Sequence, residues 1–432
     1  MMRFLVLLLA SAFLCACCAV AVVVEEQPAA KPENPYTKWT NGLSQAPDYF
    51  PIAVWLQDPA KAARYKDIGI NLYVGLWQGP TAKQIGALEQ AGMPVICDQN
   101  EYGLQYVKAK KDKAIIVAWM HGDEPDNAQG MEAAWKNSAD AANKAWPDTP
   151  NRTLQQWGRW GPPIPPSKII ADYKRIKKAD PTRPVIVNLG QGVAWDKWHG
   201  RGIRTNHPED YLQYIKGCDI VSYDIYPVNA THADVKDKLW LVPFGVDRLL
   251  KWSKDERIVW NVIECTQYGK GGRRPTPREV KAQVWMSLVR GSRGLIYFVH
   301  EFEVKDDGGN VVRPFTGAGL LRDKEMAHAV GEINRRIHAL GAVLNTPTIA
   351  NGATASSSNS DVPVDAMVKK HGGATYLFAV AMRDSETTAT FQVKGVAAGT
   401  AEVLGEGRTV PVKDGVLKDA FKGYEVHLYK MK

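Results

Sequence analysis

The sequence predicts an α/β protein, a (β/α)8 barrel of the TIM type followed by a small antiparallel, β-sandwich-like domain. Three observations carry that expectation. Eight short apolar runs alternate with helix-like segments between Phe50 and Leu340, the rhythm of a closed parallel sheet. No glycine-rich nucleotide loop follows the first run, which removes the main support for a doubly wound open sheet. Near Leu344 the composition shifts: all 14 tryptophans lie at or before Trp285, and short β-prone pieces separated by turn residues take over.

The chain opens with Met1–Arg3 and a nearly uninterrupted apolar run, Phe4–Val24, so residues 1–24 read as an export segment. Leu14–Cys17 (LCAC) resembles a bacterial lipoprotein cleavage box, with Cys17 as the lipidated residue and a route to membrane attachment. An uncleaved anchor is the alternative. Either reading places the protein outside the cytoplasm: periplasmic, on the outer surface or secreted. Residues 25–45 read as a polar, proline-rich tether.

Barrel strands are expected at Pro51–Trp55, Ile70–Val74, Pro94–Cys97, Ile115–Met120, Val185–Leu189, Asp219–Tyr226, Ile258–Glu264 and Gly294–Phe298. Helix-like stretches separate them, among them Thr81–Ala91, Tyr102–Lys111 and Lys168–Lys178. The longest connection holds Asn151–Ser167, rich in proline and carrying Trp157 and Trp160, which reads as a wall of a binding cleft. A last helix, Asp323–Leu340, puts Met326, Val330, Ile333, Ile337 and Leu340 on one face. The barrel is thus expected over 46–343 and the β domain over 344–432.

Composition excludes several functions. A charge of +8 with scattered basic residues and no nucleic-acid motif argues for a mixed surface and against a nucleic-acid partner. Of six cysteines, three lie in the export segment; Cys97, Cys218 and Cys265 allow at most one bridge. No Cys or His spacing of the structural zinc type occurs, and no cofactor is expected.

The chemistry concentrates at strand ends. Ile115–Met120 runs into His121, Gly122, Asp123 and Glu124; the seventh strand ends in Glu264. Strands four and seven face each other across a barrel mouth. Two carboxyls there, at about 5–5.5 Å, suit retaining glycoside hydrolysis, one as nucleophile and one as acid/base. Burial and mutual repulsion would raise the acid's pKa. Around them, Trp55 and Trp119 are candidates for the cleft floor, as indole faces suit pyranose rings. Asn188, His121, His300 and Glu301 are candidates for sugar hydroxyls, and Tyr226 for a hydroxyl donor to the nucleophile.

These segments, WMHGDEP (Trp119–Pro125), SYDIYP (Ser222–Pro227), VIE (Val262–Glu264) and YFVHEF (Tyr297–Phe302), resemble the superfamily of retaining glycoside hydrolases with eight-stranded barrels. The resemblance implies Glu124 as acid/base, Glu264 as nucleophile, and hydrolysis of a β-linked oligo- or polysaccharide by double displacement. Many members carry Asn before the acid/base; this chain has Asp123, an acceptor when ionised. Three rivals remain: a metal-dependent hydrolase using Asp123, Glu124, His121, Asp224, His300 and Glu301, a noncatalytic glycan-binding lipoprotein, and an inverting hydrolase with carboxyls about 6.5–9.5 Å apart.

Overall fold

The computed structural model describes residues 34–432. The expected export segment, Cys17 and the start of the tether lie outside the described residues. Nine parallel strand segments form one sheet: β1 (Ile52–Trp55), β2 (Leu72–Val74), β3 (Val95–Asp98), β4 (Ile116–Met120), β5 (Val185–Leu189), β6 (Ile220–Tyr223), β7 (Ile258–Val259), β8 (Asn261–Glu264) and β9 (Leu295–Phe298). Their order is β7-β6-β5-β4-β3-β2-β1-β9-β8. The predicted seventh strand is therefore two segments flanking Trp260. β7 pairs with β6 and β8 with β9, so both ends of the sheet meet in one stretch of chain. Trp260 fills the barrel interior at this seam. Gly294 admits it, since an added Cβ there would sit 2.5 Å from the indole.

Strand alternation sorts the side chains. Ala53, Trp55, Leu72, Val74, Ile96, Ala118, Met120, Ile186 and Val262 meet inside the barrel. Ile52, Val54, Tyr73, Val95, Cys97, Trp119, Val187, Val221 and Ile263 pack outward against the helices. A bulge on β4 sets its register: Val95 pairs with Ile116 but Ile96 with Ala118. That slip decides which side chains after β4 face the mouth.

The expected tether is structural from Asn34 onward. Tyr36, Trp39 and Leu43 are buried with the barrel-interior residues. The Tyr36 hydroxyl donates to the Arg293 carbonyl at 2.6 Å and accepts from the Trp260 indole at 2.8 Å. Apolar rings spaced between prolines, rather than proline content itself, decide this segment's fate.

After β9 come a hairpin, β10 (Val304–Lys305) and β11 (Val311–Arg313), and, past the last barrel helix (Lys324–Ala339), β12 (Ala353–Ser357), β13 (Val364–His371), β14 (Ala374–Ala381), β15 (Thr387–Val393), β16 (Gly399–Val403), β17 (Arg408–Lys413), β18 (Val416–Phe421) and β19 (Val426–Met431). β12–β19 form one antiparallel sheet, ordered β12-β15-β18-β17-β16-β19-β14-β13, whose end strands approach each other. The second domain is thus a single curled, nearly closed sheet and not a two-sheet sandwich. Curling lets Leu377, Phe391, Leu417, Phe421 and Tyr429 bury one another without a second sheet. It docks on the barrel through Phe378 against Trp285, ring centroids 5.4 Å apart. Cys97, Cys218 and Cys265 are buried and unbridged. Among the described residues no helix is long and apolar enough to cross a membrane.

Candidate active site

β4 ends at Met120, and the chain then turns sharply. Glu124 takes φ +42°, a left-handed conformation costly for a residue with a side chain. Its N–H donates to the Asn188 carbonyl at 3.1 Å, and its own carbonyl closes a turn by accepting from Asn127 N–H at 3.0 Å. The turn presents Asp123 and Glu124 at the C-terminal mouth of the barrel, where α/β barrels carry their chemistry. The Asn127 amide donates to Glu124 Oε2 at 2.8 Å, and Trp198 Nε1 holds the Asn127 oxygen at 2.8 Å. Asp126 supports this from below, accepting from Gly190 N–H and the Tyr211 hydroxyl.

The partner that meets Glu124 is Asp224, just past β6. Tyr226 donates to Asp224 Oδ2 at 2.6 Å. The other Asp224 oxygen is buried without an N–H donor among the described residues. Glu124 is the acid that interacts with Asp224 at this point, and a proton on Glu124 is what relieves the meeting of the two carboxyls. Asp123 stands beside them and accepts from the Asn188 amide at 2.9 Å, while Ser222 donates to the Asn188 oxygen at 2.7 Å.

Desolvation and crowding shift all three acids upward. Glu124 rises well above the ordinary carboxylate range, first by burial and then by the charges of Asp224 and Asp123. Burial, opposed by hydrogen bonding, brings Asp224 to about 6. Asp123, recessed although solvent reaches it, rises to about 7 through desolvation and then the Asp224 charge. Near neutral pH the cluster therefore holds both acid and base forms, which proton transfer to and from a substrate requires.

Glu264 is placed differently from the expectation. Its side chain faces the interior, in register with Trp260 and Val262, yet it is 0% exposed. Val228 N–H reaches Oε1 at 2.8 Å; Asn229 N–H and its amide reach Oε2 at 3.0 and 2.8 Å. Burial lifts it to about 7 against these three donors. This carboxylate latches the loop after β6 onto β8 and has no open face toward the mouth.

Other predicted residues divide the same way. Trp55 faces the barrel interior, and Asn188 and Tyr226 belong to the carboxyl cluster, though Tyr226 serves Asp224 rather than Glu264. Trp119 does not form the cleft floor: it is 0% exposed, among the outer-layer residues, with its indole N–H on Asp180 at 2.9 Å. His121 shares that outward parity; its Nε2 meets the Gly217 carbonyl at 2.8 Å, and burial lowers its pKa. Glu301 is tied to Arg274 at 2.5 Å. His300 contacts the Leu56 carbonyl at 3.2 Å and lines a neighbouring aromatic cavity. The 151–167 loop builds a small core, Trp157 with Met131, Trp135 and Ala142, and is stitched beside Glu124 where Ile164 N–H meets the Pro125 carbonyl.

No protein-family model matches the sequence, and no curated protein matches it. Solved structures do. A catalytic mutant of Gan42B, a GH42 β-galactosidase from G. stearothermophilus, aligns over 91% of this chain and 99% of its own, at 10% identity and TM-score 0.53. The apo exo-carrageenase GH42 from Bacteroides ovatus aligns over 94% and 86%, at 10% identity and TM-score 0.51. A variant of AmyP in complex with maltotriose aligns over 90% and 98%, at 10% identity and TM-score 0.51. What these structures share with this chain is the barrel fold.

The sequence offers Asp224 only as a metal ligand and does not mark Asn127 and Trp198 as supports of Glu124. Alternation along Ser222, Asp224 and Tyr226 was the available signal for the first. Nothing local announces that Trp198, 71 residues away, reaches Asn127.

Proposed function

We propose that the protein is a glycoside hydrolase acting at the barrel mouth on a β-linked oligo- or polysaccharide. The observation that supports the reading is the crowding of Glu124, Asp224 and Asp123 at the C-terminal ends of β4 and β5–β6, each raised above the ordinary carboxylate range by burial and by its neighbours. Glu124, kept protonated at neutral pH, is the group that delivers a proton to the glycosidic oxygen. Asp224, parted from Glu124 when a sugar enters, accepts a proton from the water that bonds the anomeric carbon as the bond to the protonated leaving oxygen breaks. Asn127 and Trp198 aim the acid; Asn188 aims Asp123.

Double displacement on Glu264, the reading implied by the superfamily resemblance, requires that carboxylate to reach the anomeric carbon. The seal by Val228 and Asn229 argues against it, so we assign Glu264 a positioning role. The same seal favours a second reading, a surface protein that binds glycans without cutting them. An exported location, with or without lipid on Cys17, suits either. Incubation with a panel of polysaccharides and product analysis separates them: we expect products from wild type, lost by a factor of about 10²–10⁴ in Glu124→Gln. Oligosaccharide binding without products at any pH would leave the binding protein standing and discard the hydrolase.

A further inference from the structure

The carboxyl cluster occupies only part of the mouth. Past the ends of β1, β2 and β9 lies a cavity of about 1010 Å³ lined by Trp77, His300, Phe302 and Phe315, with Lys83 and Gln84 at its edge. Three of these rings are open to solvent: Trp77 is 71% exposed, Phe315 57% and Phe302 45%. Single exposed apolar residues are ordinary, but three large rings on one concavity mark a binding surface.

A run of packed rings separates this cavity from the acids and sets the two side by side. The Tyr226 ring, whose hydroxyl holds Asp224, lies 5.2 Å from Phe298. Phe298 lies 5.3 Å from His300, and His300 5.9 Å from Phe315. The backbone on this side is constrained as well. Leu56, which lines the cavity, has φ +47°, and Gln78, next to Trp77, has φ +53°. Non-glycine residues in that region cost free energy and cluster where a surface must be shaped for a ligand.

The chemistry of the lining identifies the occupant. Flat rings with a polar edge match a pyranose, whose C–H face stacks while its hydroxyls point outward to amide and ammonium groups. A lipid chain would instead call for branched aliphatic walls. The volume stands at the top of the roughly 300–1,000 Å³ usual for small-molecule sites, which suits several sugar units better than one. We propose that this cavity is a second sugar-binding subsite, set beside the carboxyl cluster across the Tyr226, Phe298 and His300 rings, that holds a distal segment of the same glycan chain. This rests on the reading of the mouth as a glycoside hydrolase site and makes the substrate a chain of several residues rather than a disaccharide.

Calorimetric titration and product analysis with cello-, xylo-, manno- and galacto-disaccharides and hexasaccharides test it, on wild type, Trp77→Ala and Phe315→Ala. Both side chains are exposed, so neither change empties a core, and circular dichroism checks the fold. A hexasaccharide that binds wild type should bind Trp77→Ala about 30-fold more weakly, with a smaller loss for the disaccharide. Equal hexasaccharide binding by all three proteins overturns the subsite. Binding of the apolar dye bis-ANS with no binding of any hexasaccharide also overturns it, marking an apolar docking face. Products formed at a rate indifferent to chain length and to both substitutions reject the subsite and keep the hydrolase. Hexasaccharide binding lost in Trp77→Ala, with no products from wild type, rejects the hydrolase and keeps the subsite.

Discussion

Glu124 and Glu264 look alike in the sequence: each follows an apolar barrel strand, and each reaches the same end of the barrel. Their surroundings are opposite. Glu264 has three N–H donors and no solvent. Glu124 has one amide donor, a strained backbone and two other acids as neighbours. A carboxylate whose lone pairs are satisfied by the protein is part of the scaffold. One crowded against its own kind stores unfavourable free energy that a substrate can relieve. The position at the strand end is shared; what differs is who supplies the hydrogen bonds.

The sharpest way to break this contrast is to make the same substitution at both sites. Glu124→Gln removes the proton donor and takes the large rate loss already stated, while its fold persists. Glu264→Gln turns an amide N–H toward donors, or leaves a buried N–H of Val228 or Asn229 unpaired. Such unsatisfied groups cost about 1–3 kcal/mol each, so urea unfolding should show a loss of that size. Turnover per folded molecule should survive. If Glu264→Gln instead kept full stability and lost all turnover, Glu264 would regain the nucleophile's role and the contrast would be reversed.

Part of this was legible beforehand. The strand–helix rhythm places the barrel, and apolar runs ending in acids place the mouth. Parity was legible too: Trp119 and His121 are separated by one residue and so share a face, and Ala118 and Met120 take the other. What sequence withholds is the bulge at Ile116–Ala118, which fixes which of those faces is inside. It also withholds the loop after β6 folding its N–H groups over Glu264, because backbone donors have no residue-type signature. Tyr36 and Trp39 were hidden for a different reason, inside a segment whose polar, proline-rich character masked two rings that plug the barrel floor.

The crowding at Glu124, Asp123 and Asp224 also predicts a pH dependence opposite to that of ordinary salt-bridged acids. Their folded pKa values lie above the unfolded values near 4, so between about pH 4 and 7 the native state binds more protons than the unfolded chain. By linkage, their contribution to stability falls as pH rises through that window and is neutral below it. Asp224→Asn removes one of the repelling charges. Its melting temperature should match wild type at pH 4 and exceed it above pH 7, a gain on the order of 1 kcal/mol. A difference that stays constant from pH 4 to 8 would show that the three acids do not share their charge in the folded protein.

The smallest functional effect sharpens the comparison between the two faces of β4. Trp119 donates to Asp180, which also accepts from Thr182 and sits 2.9 Å from Arg183. Trp119→Phe therefore removes one hydrogen bond without stranding a buried charge, since Arg183 still neutralises the aspartate. The benzyl ring stops short of Gly103, whose missing Cβ lets the outer edge of the indole lie 3.2 Å from that position, so the variant also opens a small cavity. A stability loss of about 1–3 kcal/mol is expected from the lost hydrogen bond and the small cavity together. Oligosaccharide affinity should not change, because the side chain lies on the helix side of the strand. Calorimetric titration of the variant with the hexasaccharides that bind wild type checks this; weaker binding at unchanged stability would mean that the β4 register places Trp119 toward the mouth, and Glu124 would have to be reassigned with it.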